Sequence, residues 1–167
     1  MPLADEQIVY VQLRLDDVNL AGHVGNTAIA RLIDEARMIF LGCPEPGRPG
    51  DRHGVLGVGV LGVLDGQVDR LVGQQTVEFH DELWYSREPV AVTLWVTHIG
   101  TSSFSLASTI STHLGHAPVV TSEATMVLVH RGTGAAWRID DTVRGRLTRY
   151  LGDPVMLRPR PSQRPRS

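Results

Sequence analysis

Only one long stretch of this chain carries its apolar residues at helical spacing, and nearly everything after it carries them at every second position. From Thr27 to Leu41, the residues Ile29, Leu32, Ile33, Ala36 and Phe40 form one stripe. Met38 and Leu41 form a smaller one on the opposite side. A helix apolar on two sides packs inside something, here a sheet on one side and a partner subunit on the other. Gly42, Pro44, Pro46 and Pro49 stop it and open a polar loop to about Gly54. Before it, Ile8 to Leu15 reads as a strand. After it, Val55–Leu64, Arg70–Phe79, Pro89–Ile99, Ser103–Thr112 and Val119–His130 read as five strands in a meander, joined by turn-rich pieces such as Asp65-Gly66 and Gly132-Thr133-Gly134. Asp140-Asp141 then caps a short amphipathic helix, Thr142 to Leu151. The expected class is α+β: one long central helix wrapped by an antiparallel sheet of about five to six strands, plus a short C-terminal helix. Two such units could pair edge to edge and hide their exposed strands.

The 167 residues suit a single domain, residues 1–153, with 42% hydrophobic content. The tail, 154–167, has the Arg/Pro-rich composition of a disordered segment. Val55–Leu64 is too short to span a membrane and is broken by Gly57, Gly59 and Gly62. The acidic opening Met1-Pro2-Leu3-Ala4-Asp5-Glu6 is no secretory signal, so the expected location is cytoplasmic with no membrane partner. Cys43 is the only cysteine, which leaves no intrachain disulfide and no zinc ligand set. All 16 basic residues are Arg, so lysine Schiff-base chemistry is excluded. Seven of those arginines follow residue 143, yet that basic end carries no stacking aromatics beyond Tyr150 and sits on an acidic body. No nucleic-acid partner is expected. His80, His98, His113, His116 and His130 show no ligand spacing, and neither a metal nor a cofactor is expected. Ser102 and Ser103 lack the Gly-x-Ser-x-Gly context of a serine hydrolase.

The chemistry concentrates where the first strand meets the helix. There Asp16 and Asp17 precede a Gly22-His23-Val24-Gly25-Asn26 turn, which puts polar side chains and free backbone N–H groups together at a helix N-terminus, a place to hold an oxyanion. This run resembles the Asp-x-Asp-x-x-Gly-His-Val-Asn-Asn signature of hotdog-fold acyl-CoA thioesterases of the 4-hydroxybenzoyl-CoA thioesterase type. Asp17 matches the first Asp, and Gly22, His23, Val24 and Asn26 match the turn. Arg31 and Glu35-Ala36-Arg37 match the helix, and Gly100-Thr101-Ser102-Ser103-Phe104 resembles a hairpin of the same family. The similarity covers roughly residues 8–151. It implies a hotdog fold, an acyl-CoA substrate, a homodimer or homotetramer, and hydrolysis of a fatty or aromatic acyl-CoA to free acid and CoA.

Two positions depart from that signature. Asn19 stands where the family has its second Asp, generally the catalytic carboxylate, and Gly25 stands where it has the first Asn. By resemblance the N–H near Asn26 faces the thioester carbonyl, while Gly22 and Gly25 either let backbone approach substrate or simply shape a tight turn. Asn19 can orient water or the carbonyl but cannot act as a base. Three carboxylates could substitute. Asp17 is two residues away, and its other reading is a turn or cap acceptor. Glu35 flanks the main stripe, and its other reading is an i,i+4 pair with Arg31. Glu78 lies in a period-two run and could reach a subunit cleft, or be an exposed strand acid. His23 is a base by type, though the matching family residue holds the turn. Arg70, Arg87, Arg131 and the C-terminal arginines are candidates for the CoA phosphates. A different class is also open: a non-catalytic acyl-CoA binding protein on the same fold, with Asn19 as the reason. A hydratase on a related scaffold is the third possibility.

Overall fold

The computed structural model describes residues 7–42, 59–64 and 66–158. These form strands β1 (Gln7–Val11), β2 (Val68–Phe79), β3 (Val90–Ile99), β4 (Ser103–Ser111) and β5 (Val120–His130), with helices α1 (Asn26–Leu41) and α2 (Asp141–Thr148). The class is α+β, as expected. All pairings are antiparallel, and the sheet order is β1-β3-β4-β5-β2. Only β3, β4 and β5 form a simple meander. The connection from α1 carries β2 to the far edge, where it pairs with β5 over nearly its whole length.

The helical stripe of α1 behaves as its spacing predicts. Ile29, Leu32, Ile33, Ala36 and Phe40 are buried in one core with Val92, Leu94 and Val96 of β3, Phe104, Leu106 and Ile110 of β4, and Val120, Met126 and Leu128 of β5. Of the smaller stripe, Leu41 is buried and Met38 is exposed. Arg37 is also buried. It pairs with Asp34 one turn back, and its Nη1 donates to Gln75 Oε1 of β2 at 3.0 Å, which satisfies a charge beside the core.

The strand expected over Val55–Leu64 is corrected in its described part. Residues 59–64 form a turn. The N–H groups of Val60 and Leu61 donate to the carbonyls of Phe40 and Leu41 at 3.0 and 2.9 Å, and both side chains are buried. The described end of the run therefore closes the C-terminal end of α1, supplying donors to carbonyls that have no partner inside the helix. Period alone cannot tell such a run from a short strand. Cys43, residues 55–58 and the arginines beyond Arg158 lie outside the described residues.

The two sheet edges are finished differently. β1 is short, and β3 continues beyond its end at Val96. Residues 150–152 take over there: Val96 N–H donates to Tyr150 and Gly152 N–H donates to Val96, both at 2.8 Å. Asp140 caps α2 through Oδ1, which accepts the Val143 N–H at 2.8 Å, and Val143 and Leu147 fasten the helix to the core. At the other edge, β2 has no strand on its outer side among the described residues, and it exposes Leu71, Val72 and Phe79.

Candidate active site

The segment between β1 and α1 folds back on itself and is tied to the first two turns of the helix. A short 3₁₀ turn spans Leu15–Asp17. The Asp17 carboxylate is buried: Oδ2 accepts the Arg14 N–H at 2.7 Å, and Arg31 donates to both oxygens, from Nε at 3.2 Å and from Nη2 at 2.6 Å. Arg31 Nη1 lies 2.6 Å from Glu35 Oε2 one helical turn on. Burial works against ionisation of Asp17. The guanidinium of Arg31 and the N–H of Arg14 outweigh it and hold the carboxyl below the usual carboxylate range. An acid so strongly held in its charged form is a poor proton acceptor. Asp17 joins the segment to α1, as the cap acceptor reading of this residue implies.

Asn19 uses its carboxamide inside the turn. Its Oδ1 accepts the N–H groups of Ala21 at 2.9 Å and His23 at 3.3 Å, while its own N–H donates to the His23 carbonyl at 2.8 Å. Gly22 adopts φ 89°, a left-handed conformation that favours glycine, and brings the chain around. Val18 and Val24 face each other across the turn. Val24 is buried, and its N–H donates to the Leu83 carbonyl at 2.8 Å. Gly25 N–H donates to the Asp17 carbonyl at 2.9 Å, and Gly25 is the residue before the helix.

Gly25 offers no side chain to cap α1. The N–H groups of Asn26, Thr27 and Ala28 have no acceptor among the described residues, whereas Ile29 N–H already donates to Gly25. Three donors and the positive end of a 16-residue helix therefore open beside the turn, a setting in which an oxyanion is stabilised. The structure thus gathers Asp17, Asn19, Gly22, His23, Val24, Gly25, Asn26 and Glu35 into one neighbourhood. Glu78 stands apart from it. It lies opposite Thr121 near the end of β2, and its carboxylate accepts the N–H of Arg158.

One part of this neighbourhood has no signal in the spacing of the sequence. The segment after β2 returns to the turn, so that His23 and Trp84 form an antiparallel bridge. Their rings lie 4.3 Å apart, and Glu82 Oε1 sits 3.1 Å from His23 Nδ1. Residues 81–89 fall between two of the alternating runs, and nothing periodic marks Glu82 or Trp84.

Of the arginines considered for phosphate, Arg131 is paired with Asp69 at 2.6 Å, and Arg70 donates to the Gly42 carbonyl. Both line a cavity of about 300 Å³ with Arg37, Met38, Leu41 and Val72, at the C-terminal half of α1 rather than at its N-terminus. Among the described residues no cluster of His, Cys, Asp and Glu is arranged to hold a metal ion, and no helix is long and apolar enough to cross a membrane.

Comparison with known proteins agrees with this architecture. A search of curated protein sequences finds no match. Among solved structures, a thioesterase superfamily protein from Jannaschia sp. CCS1 superposes with a TM-score of 0.70 at 17% identity, over 90% of this chain and 97% of that one. A thioesterase from Thermus thermophilus, complexed with coenzyme A and zinc, gives 0.64 at 17% identity over 93% and 100%. The DHNA-CoA thioesterase of Staphylococcus aureus gives 0.65 at 15% identity over 87% and 88%. At these identities the likeness speaks for the fold. The model of the thioesterase-like superfamily matches residues 13–147, and the chain belongs to that superfamily.

Proposed function

We propose that this protein is an acyl-CoA thioesterase that hydrolyses a fatty or aromatic acyl-CoA to the free acid and CoA. The observation that carries this reading is the uncapped start of α1, where the N–H groups of Asn26, Thr27 and Ala28 are held open by a turn that Asp17, Asn19 and Gly22 shape. A thioester carbonyl placed there gains donors as its oxygen becomes negative, which is the stabilisation hydrolysis needs most. Superfamily membership supports the reaction class, and the coenzyme A bound by the Thermus thermophilus structural neighbour supports a CoA-linked substrate.

The working unit in this reading is a homodimer or a larger homo-oligomer. The outer edge of β2, which carries no strand among the described residues and exposes Leu71, Val72 and Phe79, supports pairing with a second copy. A partner there would also reach Met38, which lines the same cavity as Val72.

One observation favours a second reading. The Asn19 side chain, standing where the family signature has its Asp, is committed to turn hydrogen bonds and supplies no base. A protein that binds acyl-CoA without turning it over would carry the same turn. Thiol release from short, long and aromatic acyl-CoAs, with a no-substrate control for Cys43, separates the two. Catalytic turnover on any of them supports the hydrolase. Saturable binding with no release replaces it with the binding protein.

A further inference from the structure

We propose that His23 is the general base of the site, oriented by Glu82 and by the ring of Trp84, in the role that position 19 cannot fill. This rests on the thioesterase reading. Three observations converge on it. His23 lies in the same turn as Asn19 and three residues before the first open N–H of α1, so a base and an oxyanion donor share one continuous, hydrogen-bonded piece of backbone. Its ring is partly open, with a side-chain exposure of 24%, and is held on one side by Trp84 at 4.3 Å. Glu82 Oε1 lies 3.1 Å from Nδ1, which favours the ring proton on that nitrogen and leaves the lone pair on Nε2.

The other carboxylates of the neighbourhood are committed elsewhere. Asp17 and Glu35 are bound to Arg31, and Asp81 Oδ1 accepts the N–H of Glu82 at 2.8 Å. Asp16, on the 3₁₀ turn, is exposed to solvent. Glu82 is the charged group that meets His23.

The step balances without a further reactant. Nε2 takes a proton from water as the water oxygen bonds to the thioester carbon, and the carbonyl π pair moves onto oxygen, where the N–H groups of α1 receive it. The tetrahedral adduct then collapses, the C–S bond breaks, and the imidazolium returns its proton to the leaving sulfur. The products are the carboxylic acid and the CoA thiol. Glu82 keeps its contact with Nδ1 and stabilises the transient imidazolium.

The test compares wild type with His23→Gln, His23→Gly and Glu82→Gln on an acyl-CoA that the wild type hydrolyses. His23→Gln is expected to lower kcat by about 10²–10⁴-fold with little change in KM or in thermal unfolding. Added imidazole is expected to restore part of the turnover of His23→Gly. Glu82→Gln, which removes the carboxylate that orients the ring and stabilises the imidazolium, is expected to lower kcat by about 10–100-fold with KM little changed. His113→Gln is the control, since His113 forms a similar but exposed pair with Glu88 at 3.4 Å. A His23→Gln enzyme with wild-type kcat overturns the inference and leaves the thioesterase reading standing. If His23→Gln loses both activity and fold, failure of imidazole rescue together with wild-type kcat in Glu82→Gln overturns it. Absence of wild-type turnover on every acyl-CoA overturns both.

Discussion

Replacing Asp17 with Asn removes one charge from the joint between the 3₁₀ turn and α1, and the structure sets the size of the effect. The wild-type carboxylate accepts three N–H groups: Arg14 N–H at 2.7 Å, Arg31 Nε at 3.2 Å and Arg31 Nη2 at 2.6 Å. Hydrogen bonds to a charged group contribute about 1.5–3 kcal/mol each, and breaking a buried pair costs about 3–5 kcal/mol when the partner is stranded. Arg31 is not stranded here, because its side chain is 29% exposed and it keeps Glu35. The carboxamide oxygen also retains part of the bonding. A loss of about 2–3 kcal/mol at neutral pH follows, or about 4–12 °C in Tm for a domain of this size. The pH dependence gives the sharper test. The folded-state pKa of Asp17 lies below its ordinary value of 3.8. Its contribution is therefore complete above the unfolded-state pKa and is lost as pH falls through the folded-state one. Urea unfolding of both proteins should show the full difference at pH 7 and a shrinking one below about pH 4. A difference that is the same at pH 7 and in acid would refute the assignment of the effect to this ion pair.

Three further outcomes are expected. Asn19→Asp keeps an acceptor for the Ala21 and His23 N–H groups and should leave thiol release intact or raise it. Asn19→Ala loses both bonds and should lower turnover and stability together, and equal behaviour of the two variants would contradict the turn assignment. A Cβ at Gly152 would meet Trp95 Cδ1 at 2.8 Å, so Gly152→Ala should displace residues 150–153, break the Trp95 Nε1 bond to the Asp153 carbonyl and cost about 1–3 kcal/mol; unchanged tryptophan emission and Tm would count against it. Ser108 and Ser122 share a buried hydroxyl pair at 2.8 Å, so each single Ala variant should cost about 1–3 kcal/mol. The double variant should cost less than their sum in a denaturant cycle, and strict additivity would remove the pair as the cause.

Periodicity made the fold legible because it reports burial directly. Ile29, Leu32, Ile33, Ala36 and Phe40 had to face a common surface, and the alternating runs of β3, β4 and β5 had to supply it. It misled at Val55–Leu64, whose described end closes α1 through Val60 and Leu61, because a buried cap is as apolar as a strand. Strand order was not readable either. Nothing in Val68–Phe79 says that it crosses to pair with β5, since that choice is made by long-range packing. At the site, the Gly22–Asn26 turn and the Arg31–Glu35 pair are local and show in their spacing. The contacts of Asp17 with Arg31 and of His23 with Glu82 and Trp84 join residues 14 or more positions apart. Only the folded chain brings them together.

The most direct test of the proposed function removes one backbone donor, together with an exposed carboxamide that makes no hydrogen bond among the described residues. Asn26 is the first residue of α1, a position that tolerates proline, and Gly25 before it is already extended at φ −71° and ψ 156°. Asn26→Pro therefore deletes the N–H proposed to face the thioester oxygen while the helix is retained. Acyl-CoA thiol release should fall by about 10²–10³-fold in kcat with substrate binding and Tm nearly unchanged. Wild-type turnover in a folded Asn26→Pro protein would contradict the placement of the reacting carbonyl at the start of α1.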